Sequence, residues 1–409
     1  MSRLDDLIKE YCPDGVEYKK LMDIASISRG GSFQKKDFVE NGFPCIHYGQ
    51  IYTLYGLFTD KTVTFIKEDE AIKQRKAVKN DIIMAVTSEN IEDVCKCVAW
   101  LGEGEVAVSG HTAIIHHSLD PKYLTYYLHS SMFYAQKVKL VHGTKVMEVK
   151  PDSLGNIELP VPPIEVQREI VSILDNFTEL TAELTAELTA RKKQYEYYRD
   201  TLLSFDNESV VCHTLGEVFD IRNGYTPSKK VPEYWENGSI PWFRMEDIRK
   251  NGRRLYDAIQ HVHISGIKKS GLFKKDSIMI ATTATLGEHA IVKTDYMSNQ
   301  QLTNLTVNEL FMKAVLPEFA FYYFFLIDKQ CESVANYSGG IPIVDQSKFK
   351  ELAFPVPSIE KQKQIVSLLD RFDSLCNDIS SGLPAEIEAR QKQYEYYRDK
   401  LLSFKELEA

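Results

Sequence analysis

The sequence has no uninterrupted apolar run long enough to span a bilayer. Its opening, MSRLDDLIKEYCPDG, carries acids where a signal peptide needs basic and then apolar residues. We therefore expect a cytoplasmic, globular protein without membrane association. Its seven cysteines cannot all pair, and Cys95-Lys96-Cys97 lacks the spacing of a zinc or redox motif. This composition predicts reduced thiols and no metal site.

The sequence also lacks the common catalytic motifs. No glycine is followed by lysine, which excludes a phosphate loop of the GxxxxGK[ST] type. The one Pro-Pro, Pro162-Pro163, is not part of the Asn/Asp-Pro-Pro-aromatic tetrapeptide of methyltransferases. GEGEVA (102–107) fits a dinucleotide-binding pattern, but its strand-like flanks favour a hairpin turn. PDGVEYK (13–19) resembles a nuclease signature whose acids stand too close to share a metal. We expect no enzyme and no bound cofactor.

What the sequence does have is a long internal repeat. RKKQYEYYRDTLLSF (191–205) matches RQKQYEYYRDKLLSF (390–404) at all but two positions, and VPPIEVQREIVSILDNF (161–177) matches VPSIEKQKQIVSLLDRF (356–372). Further upstream the likeness thins, as in LMDIASISRG (21–30) against LGEVFDIRNG (215–224). Two units of about 200 residues are too few and too long for a solenoid, so the repeat predicts two similar domains related by a pseudo-twofold.

Each copy follows the same order of elements. Alternating apolar runs and short helical patches predict a compact domain of α+β or α/β class, followed by a long helix. In the first copy no Gly or Pro occurs from 164 to 205, which predicts a helix of about 60 Å. Its apolar residues recur in steps of three and four. Such a helix could pack on its own domain alone, but we favour the two helices pairing as an antiparallel coiled coil.

The string QYEYYRD occurs in both helices. Tyr195 and Tyr198 fall on the apolar stripe, whereas Tyr197 and Arg199 lie on other faces. An identical outer face presented twice predicts a docking surface for two copies of one partner; the alternative is a duplication that has not diverged. The predicted docking residues are Tyr197, Arg199, Tyr396 and Arg398.

These features together resemble the specificity subunit of type I DNA restriction-modification systems. The likeness rests on PVPPIEVQREIVSILDNF, on QYEYYRDTLLSF and their second copies, on LGEVFDIRNGYTPSK (215–229), on GSIPWFRMEDI (238–248), and on the four-residue repeat LTAELTAELTA (180–190). It covers essentially the whole chain. The resemblance implies a first target-recognition domain (1–160), a central helical spacer (161–205), a second target-recognition domain (206–355) and a C-terminal helical spacer (356–409).

The resemblance also implies a function. A subunit of this kind is non-catalytic, reads a bipartite asymmetric sequence in double-stranded DNA, and holds two DNA methyltransferase subunits and, in the full complex, restriction (translocase-endonuclease) subunits. S-adenosylmethionine, ATP and Mg are then expected on the partner subunits. Two alternatives remain open: a protein–protein scaffold that does not bind DNA, and a free-standing DNA-binding regulator.

The net charge of −9 argues against DNA binding, but its distribution does not. The helical segments 161–205 and 356–409 carry −3 and −2 of it. Residues 248–275 hold one acid, Asp257, and eight basic residues that predict a phosphate-binding strip, with an ordinary solvated face as the alternative: Arg249, Lys250, Arg253, Arg254, Lys268, Lys269, Lys274 and Lys275. A weaker cluster in the first domain comprises Lys73, Arg75, Lys76 and Lys79.

Base reading requires donors and acceptors on loops between rigid elements. The candidates in the first domain are Lys35, Lys36, Tyr48, Gln50, Ser88, Asn90, His111 and, in the loop 143–145, Thr144 and Lys145. Those in the second domain are Lys229, Arg244, Gln300, Gln301 and, in the loop 336–340, Tyr337 and Ser338. The two glycine-containing loops stand at matching places before each PVP sequence, which is why we favour them.

Overall fold

The computed structural model describes residues 3–205, 210–269, 271–338, 340–377 and 382–407. The chain divides into two compact units. The first unit is Met1–Thr185 with Glu386–Ala409, and the second is Ala186–Ala385. Each unit therefore contains helical residues from both copies of the repeat. The four segments implied by the resemblance remain a prediction about function.

The strands of the first unit lie in four sheets. In chain order they are β1 (Tyr18–Lys20), β2 (Ala25–Arg29), β3 (Phe38–Val39), β4 (Phe43–Ile46), β5 (Phe58–Thr59), β6 (Thr64–Ile66), β7 (Lys76–Ala77), β8 (Ile82–Ala85), β9 (Thr87–Ser88), β10 (Cys97–Trp100), β11 (Val106–Val108), β12 (Thr112–His117), β13 (Met147–Glu148) and β14 (Glu158–Pro160). The central sheet has the order β2-β12-β8-β10-β5 and a second sheet the order β3-β6-β4-β11-β7; β1 pairs with β14 and β13 with β9.

The second unit repeats this plan with a smaller second sheet. Its strands are β15 (Cys212–Thr214), β16 (Phe219–Asn223), β17 (Ile240–Phe243), β18 (Arg254–Leu255), β19 (His261–Val262), β20 (Ser277–Ala281), β21 (His289–Val292), β22 (Met297–Ser298), β23 (Leu302–Val307), β24 (Ala335–Asn336), β25 (Ile343–Val344) and β26 (Ala353–Pro355). The sheet orders are β16-β23-β20-β21-β18 and β19-β17-β22; β15 pairs with β26 and β24 with β25.

The helices pack on the central sheets. They are α1 (Arg3–Tyr11), α2 (Leu21–Ile24), α3 (Tyr48–Thr53), α4 (Glu68–Ala71), α5 (Pro121–Leu128), α6 (Ser131–Lys137), α7 (Pro151–Leu154), α8 (Ile164–Leu203), α9 (Leu215–Val218), α10 (Met245–Asn251), α11 (Pro317–Cys331), α12 (Gln346–Lys350), α13 (Ile359–Asn377) and α14 (Leu383–Leu401). Short 3-10 helices cover Lys35–Asp37, Pro232–Tyr234 and Ile264–Gly266.

The predicted long helix is present in the first copy. α8 runs for 40 residues, about 60 Å at 1.5 Å per residue. The second helical segment is instead divided into α13 and α14 of 19 residues each. The sequence Ser381-Gly382-Leu383-Pro384, which is predicted to break a helix, lies at this division: Pro384 is the second residue of α14, where its missing N–H costs no hydrogen bond. Ser381 of that sequence lies outside the described residues.

Within each unit, residues of α8 pair with the second helical segment. In the first unit the ring of Phe177 stacks on Tyr397 at 5.4 Å. In the second unit Tyr198 stacks on Phe372 at 6.0 Å, and Lys192, nearly two turns earlier, lines the same cleft as Asn377. The register in the second unit therefore runs antiparallel, as the coiled-coil prediction requires.

A buried glutamine fixes each of these helical segments to its domain. Gln167 Nε2 donates to the carbonyl of Pro162 at 2.7 Å, and its Oε1 accepts from the N–H of Asp120 at 2.9 Å. In the second unit Gln362 makes the same contacts with Pro357 and Leu316 at 2.8 Å each. Sequence reasoning did not single out this glutamine, although both copies carry it.

The turn predicted for GEGEVA is present, but it does not form a hairpin. Residues 101–105 connect β10 to β11, and these two strands belong to different sheets. β10 pairs with β8 and β5, whereas β11 pairs with β4 and β7. The hairpin interpretation was therefore wrong, because the short connection moves the chain from one sheet to the other.

Candidate nucleic-acid interface

The loops that carry the predicted base readers meet at one end of each central sheet. β2 and β8 are antiparallel to β12 and end where it begins. The loops that follow β2 and β8 are therefore neighbours of the loop that precedes β12. We call this set, residues 30–37, 86–94, 109–111 and 142–148, the first loop end. The equivalent ends of β16, β20 and β23 define the second loop end, residues 224–231, 282–287, 299–301, 336–338 and 340–343.

A glycine at the same position shapes both loop ends. The N–H of Gly30 donates to the carbonyl of Thr112 at 3.0 Å, and that of Gly224 to the carbonyl of Leu302 at 2.9 Å. A Cβ on Gly30 would lie 2.0 Å from the carbonyl oxygen of Ser109, and one on Gly224 2.2 Å from that of Asn299. Both crossings need glycine because the two backbones pass too close for any side chain.

Lysines and aromatic rings cluster at the first loop end. Lys35 and Lys36 are exposed on a single 3-10 turn. Tyr48 starts α3, its N–H donates to Ser109 Oγ at 2.9 Å, and its ring lies 5.3 Å from that of His111. Burial lowers the pKa of the neighbouring His47, and the positive charges of Lys35 and His111 lower it further.

The structure places Gln50, one of the predicted base readers, in the interior. It is buried, its Oε1 accepts from the N–H of His47 at 2.8 Å, and its Nε2 donates to Thr64 Oγ1 at 3.1 Å. Both ends of the amide are therefore used to hold the start of α3. His47 itself was missed because its role as the N-cap of α3 depends on this partner.

A buried lysine anchors the loop that follows β8. Lys137 of α6 donates from Nζ to the carbonyls of Glu92 at 2.8 Å and Val94 at 2.6 Å, and burial lowers its pKa. Asn90 in the same loop exchanges hydrogen bonds with Asp93 at 2.7 and 2.8 Å. Its amide is therefore partly occupied.

The hairpin 142–148 lies beside this loop. β13 and β9 pair, so that Ser88 stands opposite Met147, and Thr144 and Lys145 are exposed at the hairpin tip. The first loop end therefore brings Ser88, Asn90, Thr144 and Lys145 together.

The weaker basic cluster is largely neutralised by acids. Lys73 pairs with Glu70 at 3.3 Å and Lys76 with Glu105 at 2.9 Å, and Lys79 pairs with Glu103. Arg75 is exposed, and its carbonyl accepts from the N–H of Val108 at 3.0 Å. Among these residues Arg75 is the one best placed to contact phosphate.

Amide side chains characterise the second loop end. Gln300 Oε1 accepts from Thr226 Oγ1 at 2.5 Å, and Gln301 Oε1 accepts from Asn299 Nδ2 at 3.1 Å. Both glutamines are exposed, as is Lys229.

The hairpin of β24 and β25 completes the second loop end. Ser338 Oγ donates to Asn336 Oδ1 at 2.7 Å, and Tyr337 is 58% exposed. Gly339 of the predicted loop 336–340 lies outside the described residues. The second loop end thus presents hydroxyl and amide groups beside the exposed Lys229.

Arg244 occupies the position that His47 holds in the first unit. Both are N-caps of a short helix that follows a strand of the second sheet. The N–H of Arg244 donates to Asp247 Oδ2 at 2.7 Å and its Nη2 to Glu246 Oε2 at 2.8 Å, whereas its buried Nε has no hydrogen-bond partner among the described residues. Arg244 remains a candidate contact.

The predicted basic strip is not continuous. Arg253 donates to Asp328 at 3.0 Å, and Arg254 to Asp370 at 2.6 Å and Tyr322 Oη at 2.9 Å. Both guanidinium groups also lie over rings of α11. Paired carboxylates and aromatic packing turn both guanidinium groups towards α11 and α13, which argues against contacts with phosphate; their place in the strip stays a prediction.

The other members of the strip are exposed but separate. Lys250 pairs with Glu246 at 2.6 Å, and Arg249 donates to Thr285 Oγ1 at 3.1 Å, beside the second loop end. Lys268 lies 4.4 Å from the ring of Tyr225, and Lys274 lies 3.5 Å from Asp295. Lys269 and Lys275 are exposed as well.

The QYEYYRD string of the first copy packs in the second unit, and that of the second copy packs in the first unit. Arg199, in the second unit, is buried 4.3 Å above the ring of Phe325 and pairs with Asp200 at 2.8 Å. Asp200 in turn pairs with Lys329 of α11 at 2.6 Å. The structure therefore corrects the expected exposure of Arg199: its side chain packs inside this chain, and its docking role stays a prediction.

The second string behaves alike in the first unit. Arg398 pairs with Asp399 at 2.9 Å and lies 5.5 Å from the ring of Tyr394, and Asp399 accepts from the N–H of Ser131 at 3.3 Å. Arg398 is mostly covered by these contacts, and the same correction applies to it. Tyr197 and Tyr396 are 68% and 61% exposed, so these two remain available to a partner.

Further apolar side chains of the helical segments are exposed in both units. In the second unit Leu368 and Leu375, two turns apart on α13, are exposed together with Tyr198. In the first unit Leu180 occupies the position equivalent to Leu375 and is exposed as well. We call the two sets, each with its exposed tyrosine, the outer helical faces.

The described residues contain no helix with the length and hydropathy to cross a membrane. They likewise contain no group of three or more His, Cys, Asp and Glu side chains placed to hold a metal ion.

Known proteins share both halves of this organisation. The family model for the type I restriction modification DNA specificity domain matches residues 13–191 and 207–389. The specificity subunit of the Escherichia coli restriction enzyme EcoR124I/EcoR124II is 42% identical over 259 residues, which cover 60% of this chain and 61% of the relative. The putative specificity subunit S.HindORF215P of Haemophilus influenzae is 31% identical over 314 residues, covering 74% of this chain and 77% of the relative.

A third relative and two solved structures extend the comparison. The EcoprrI specificity subunit of E. coli is 43% identical over 208 residues, covering 49% of this chain and 52% of the relative. The chain thus spans about half to three fifths of the length of the two E. coli relatives.

A chain from a structural study of complex assembly and conformational transition in a type I R-M system has a TM-score of 0.68 at 16% identity, covering 95% of this chain and 98% of that one. The HsdS subunit of Thermoanaerobacter tengcongensis has a TM-score of 0.51 at 15% identity, covering 96% of each. These structures share the fold. Since the family model matches both halves, the chain belongs to the type I restriction modification DNA specificity domain family.

Proposed function

We propose that this chain is the specificity subunit of a type I restriction-modification complex, which reads a bipartite asymmetric target in double-stranded DNA and holds two methyltransferase subunits. The observation that carries the proposal is the pair of loop ends. They share their backbone plan, down to Gly30 and Gly224, but differ in the side chains they present. One scaffold with two different sets of polar groups suits two different half-sites.

Each loop end has the chemistry for one half-site. Lys35, Lys36 and Lys145 provide charges for phosphates at the first, and the amides of Gln300 and Gln301 suit the major-groove edge of adenine at the second. The described loops are anchored by hydrogen bonds to the sheet, so reading requires little ordering on binding. The chain's task is to position DNA, and a partner's pocket receives the flipped adenine.

The outer helical faces support two docking events. Tyr197 and Tyr396 are exposed at equivalent positions of the two copies, and so are Leu375 and Leu180. A repeated surface binds two copies of the same partner, here the methyltransferase subunits. The chain is non-catalytic in this proposal: S-adenosylmethionine, ATP and Mg are bound by the partners, and the restriction subunits join through the methyltransferases.

The test is DNA affinity as a function of salt, with and without a methyltransferase subunit. A specificity subunit gives salt-dependent binding to one sequence that tightens when the methyltransferase is added. A protein–protein scaffold shows neither effect, and a free-standing regulator binds its sequence without a partner. Either of these results would overturn the proposal.

Exchange of residues 21–155 for the corresponding domain of a relative tests the division of labour. Sequencing of methylated adenines in cells that express the chimaera should show one altered half-site. Two altered half-sites would mean that the loop ends do not read independently.

A further inference from the structure

The hairpin of β24 and β25 carries exposed apolar side chains at the second loop end. Ile341 is 56% exposed and Ile343 is 51% exposed, and both follow the exposed Tyr337. These side chains lie outside the core. Their exposure gives up the free energy that burial of an isoleucine contributes to folding. Exposed apolar residues grouped on one hairpin indicate a contact surface.

The hairpin is bonded directly to the loops that carry the amide readers. Ile343 forms a bridge with Thr283, and the N–H of Ala284 donates to the carbonyl of Pro342 at 3.0 Å. In the same loop, the N–H of Thr282, the residue before Thr283, donates to the carbonyl of Gln301 at 3.1 Å. Ile343 and Gln301 are therefore held by the same short stretch, 282–284.

The first unit places different chemistry at one of these positions. Val149 and Val344 are equivalent, because their N–H groups donate to the carbonyls of Val86 and Thr282 at 2.9 Å each. Counting back, Ile343 corresponds to Glu148, which lies 3.7 Å from Arg29, and Ile341 corresponds to the exposed Val146. The apolar surface at 343 thus belongs to the second loop end and differs from its counterpart.

We propose that Ile341 and Ile343 contact the C5-methyl group of a thymine in the major groove of the half-site read by the second unit. The inference rests on the proposed function. An A·T pair presents the adenine N6 and N7 groups, which suit a glutamine amide, beside the thymine methyl, which suits an apolar side chain. Gln301 and the two isoleucines provide both on one anchored surface.

The experiment removes the methyl group from the DNA. The complex of this chain with its methyltransferase is titrated with duplexes in which deoxyuridine replaces thymine in one half-site at a time. For the natural chain, substitution in one half-site should weaken binding about fourfold per contacted methyl, and substitution in the other should not. The double variant Ile341→Ser, Ile343→Ser should bind the duplex with thymine and the duplexes with deoxyuridine with equal affinity.

Leu310→Ser provides the matched control. Leu310 is 87% exposed in the same unit, but it follows β23 at the end of the sheet opposite the second loop end. This variant should retain the deoxyuridine effect in full. If the natural chain ignores deoxyuridine in both half-sites, or if the double variant still loses the same factor, the hairpin does not read thymine. Absence of any specific, salt-dependent binding by the natural chain would instead overturn the proposed function.

Discussion

Deletion of Thr185–Leu188 should shorten the spacer between the two half-sites by one base pair. These residues form one unit of the LTAE repeat in α8. Four residues correspond to about 6 Å of rise and about 400° of rotation, a net turn near 40°. One base-pair step rotates DNA by about 35° and rises about 3.4 Å. The rotation of four helical residues therefore matches one base pair, whereas their rise lies nearer to two base pairs. We expect the rotation to determine how many base pairs the spacer loses.

The structure shows why α8 tolerates such a change. No side chain of residues 175–194 is buried, and Leu184 and Leu188 are half-buried. After the deletion Leu184 directly precedes Thr189 and so takes the place of Leu188 in the stripe, and the apolar face keeps its phase. α8 is one continuous helix, whereas the second segment is divided between α13 and α14. The length of α8 is therefore the better candidate for measuring DNA.

The assay is sequencing of methylated adenines in cells that express the deletion with its methyltransferase. The half-sites should be unchanged, and the number of unread base pairs between them should fall by one. Deletion of two residues, Thr185 and Ala186, is the control: it turns the remainder of α8 by about 160° and should abolish methylation. An active four-residue deletion with an unaltered spacer would show that α8 does not set the distance.

Three further outcomes follow from the site. Tyr197→Ala should weaken methyltransferase docking at unchanged thermal stability, whereas Arg199→Ala should lower the free energy of unfolding by about 2 kcal/mol through loss of the stacked guanidinium. Co-purification measures the docking and calorimetry measures the stability. The reverse pattern would identify Arg199 as the docking residue. Lys35→Ala with Lys36→Ala should reduce the slope of log affinity against log salt by about 2, while Lys20→Ala leaves it unchanged; an unaltered slope would place both lysines away from phosphate. Gly224→Ala should abolish reading of one half-site in a methylation assay, and normal methylation of both would contradict the close backbone crossing.

The order of elements and the position of the loops were predictable from the sequence. Repetition of long phrases revealed two domains without any structural information, and the glycine that ends LMDIASISRG and LGEVFDIRNG marks the start of each loop end. Local signals sufficed here because turns, helix starts and alternating strands depend on neighbouring residues. The break between α13 and α14 was likewise marked by Gly382 and Pro384.

The roles of single charged residues were less predictable. Arg253 and Arg254 belong to a basic run in sequence, but their carboxylate partners Asp328 and Asp370 lie 75 and 116 residues away. The amide of Gln50, a predicted base reader, is bonded to Thr64, 14 residues further along the chain. Such pairings arise only when distant elements pack, so composition within a run cannot show which cations remain free to meet phosphate.

The identity of the two QYEYYRD strings has two physical causes rather than one. Arg199 and Arg398 each pair with the following aspartate and pack on a domain of the opposite copy, so a change in either string would disturb the unit it supports. That constraint explains Tyr195, Arg199 and Asp200, but it does not reach Tyr197, whose side chain is exposed. Packing within the chain would leave that position free to vary, and yet Tyr396 repeats it. We propose that a partner that meets both copies accounts for the tyrosine, whereas the internal contacts account for the arginine.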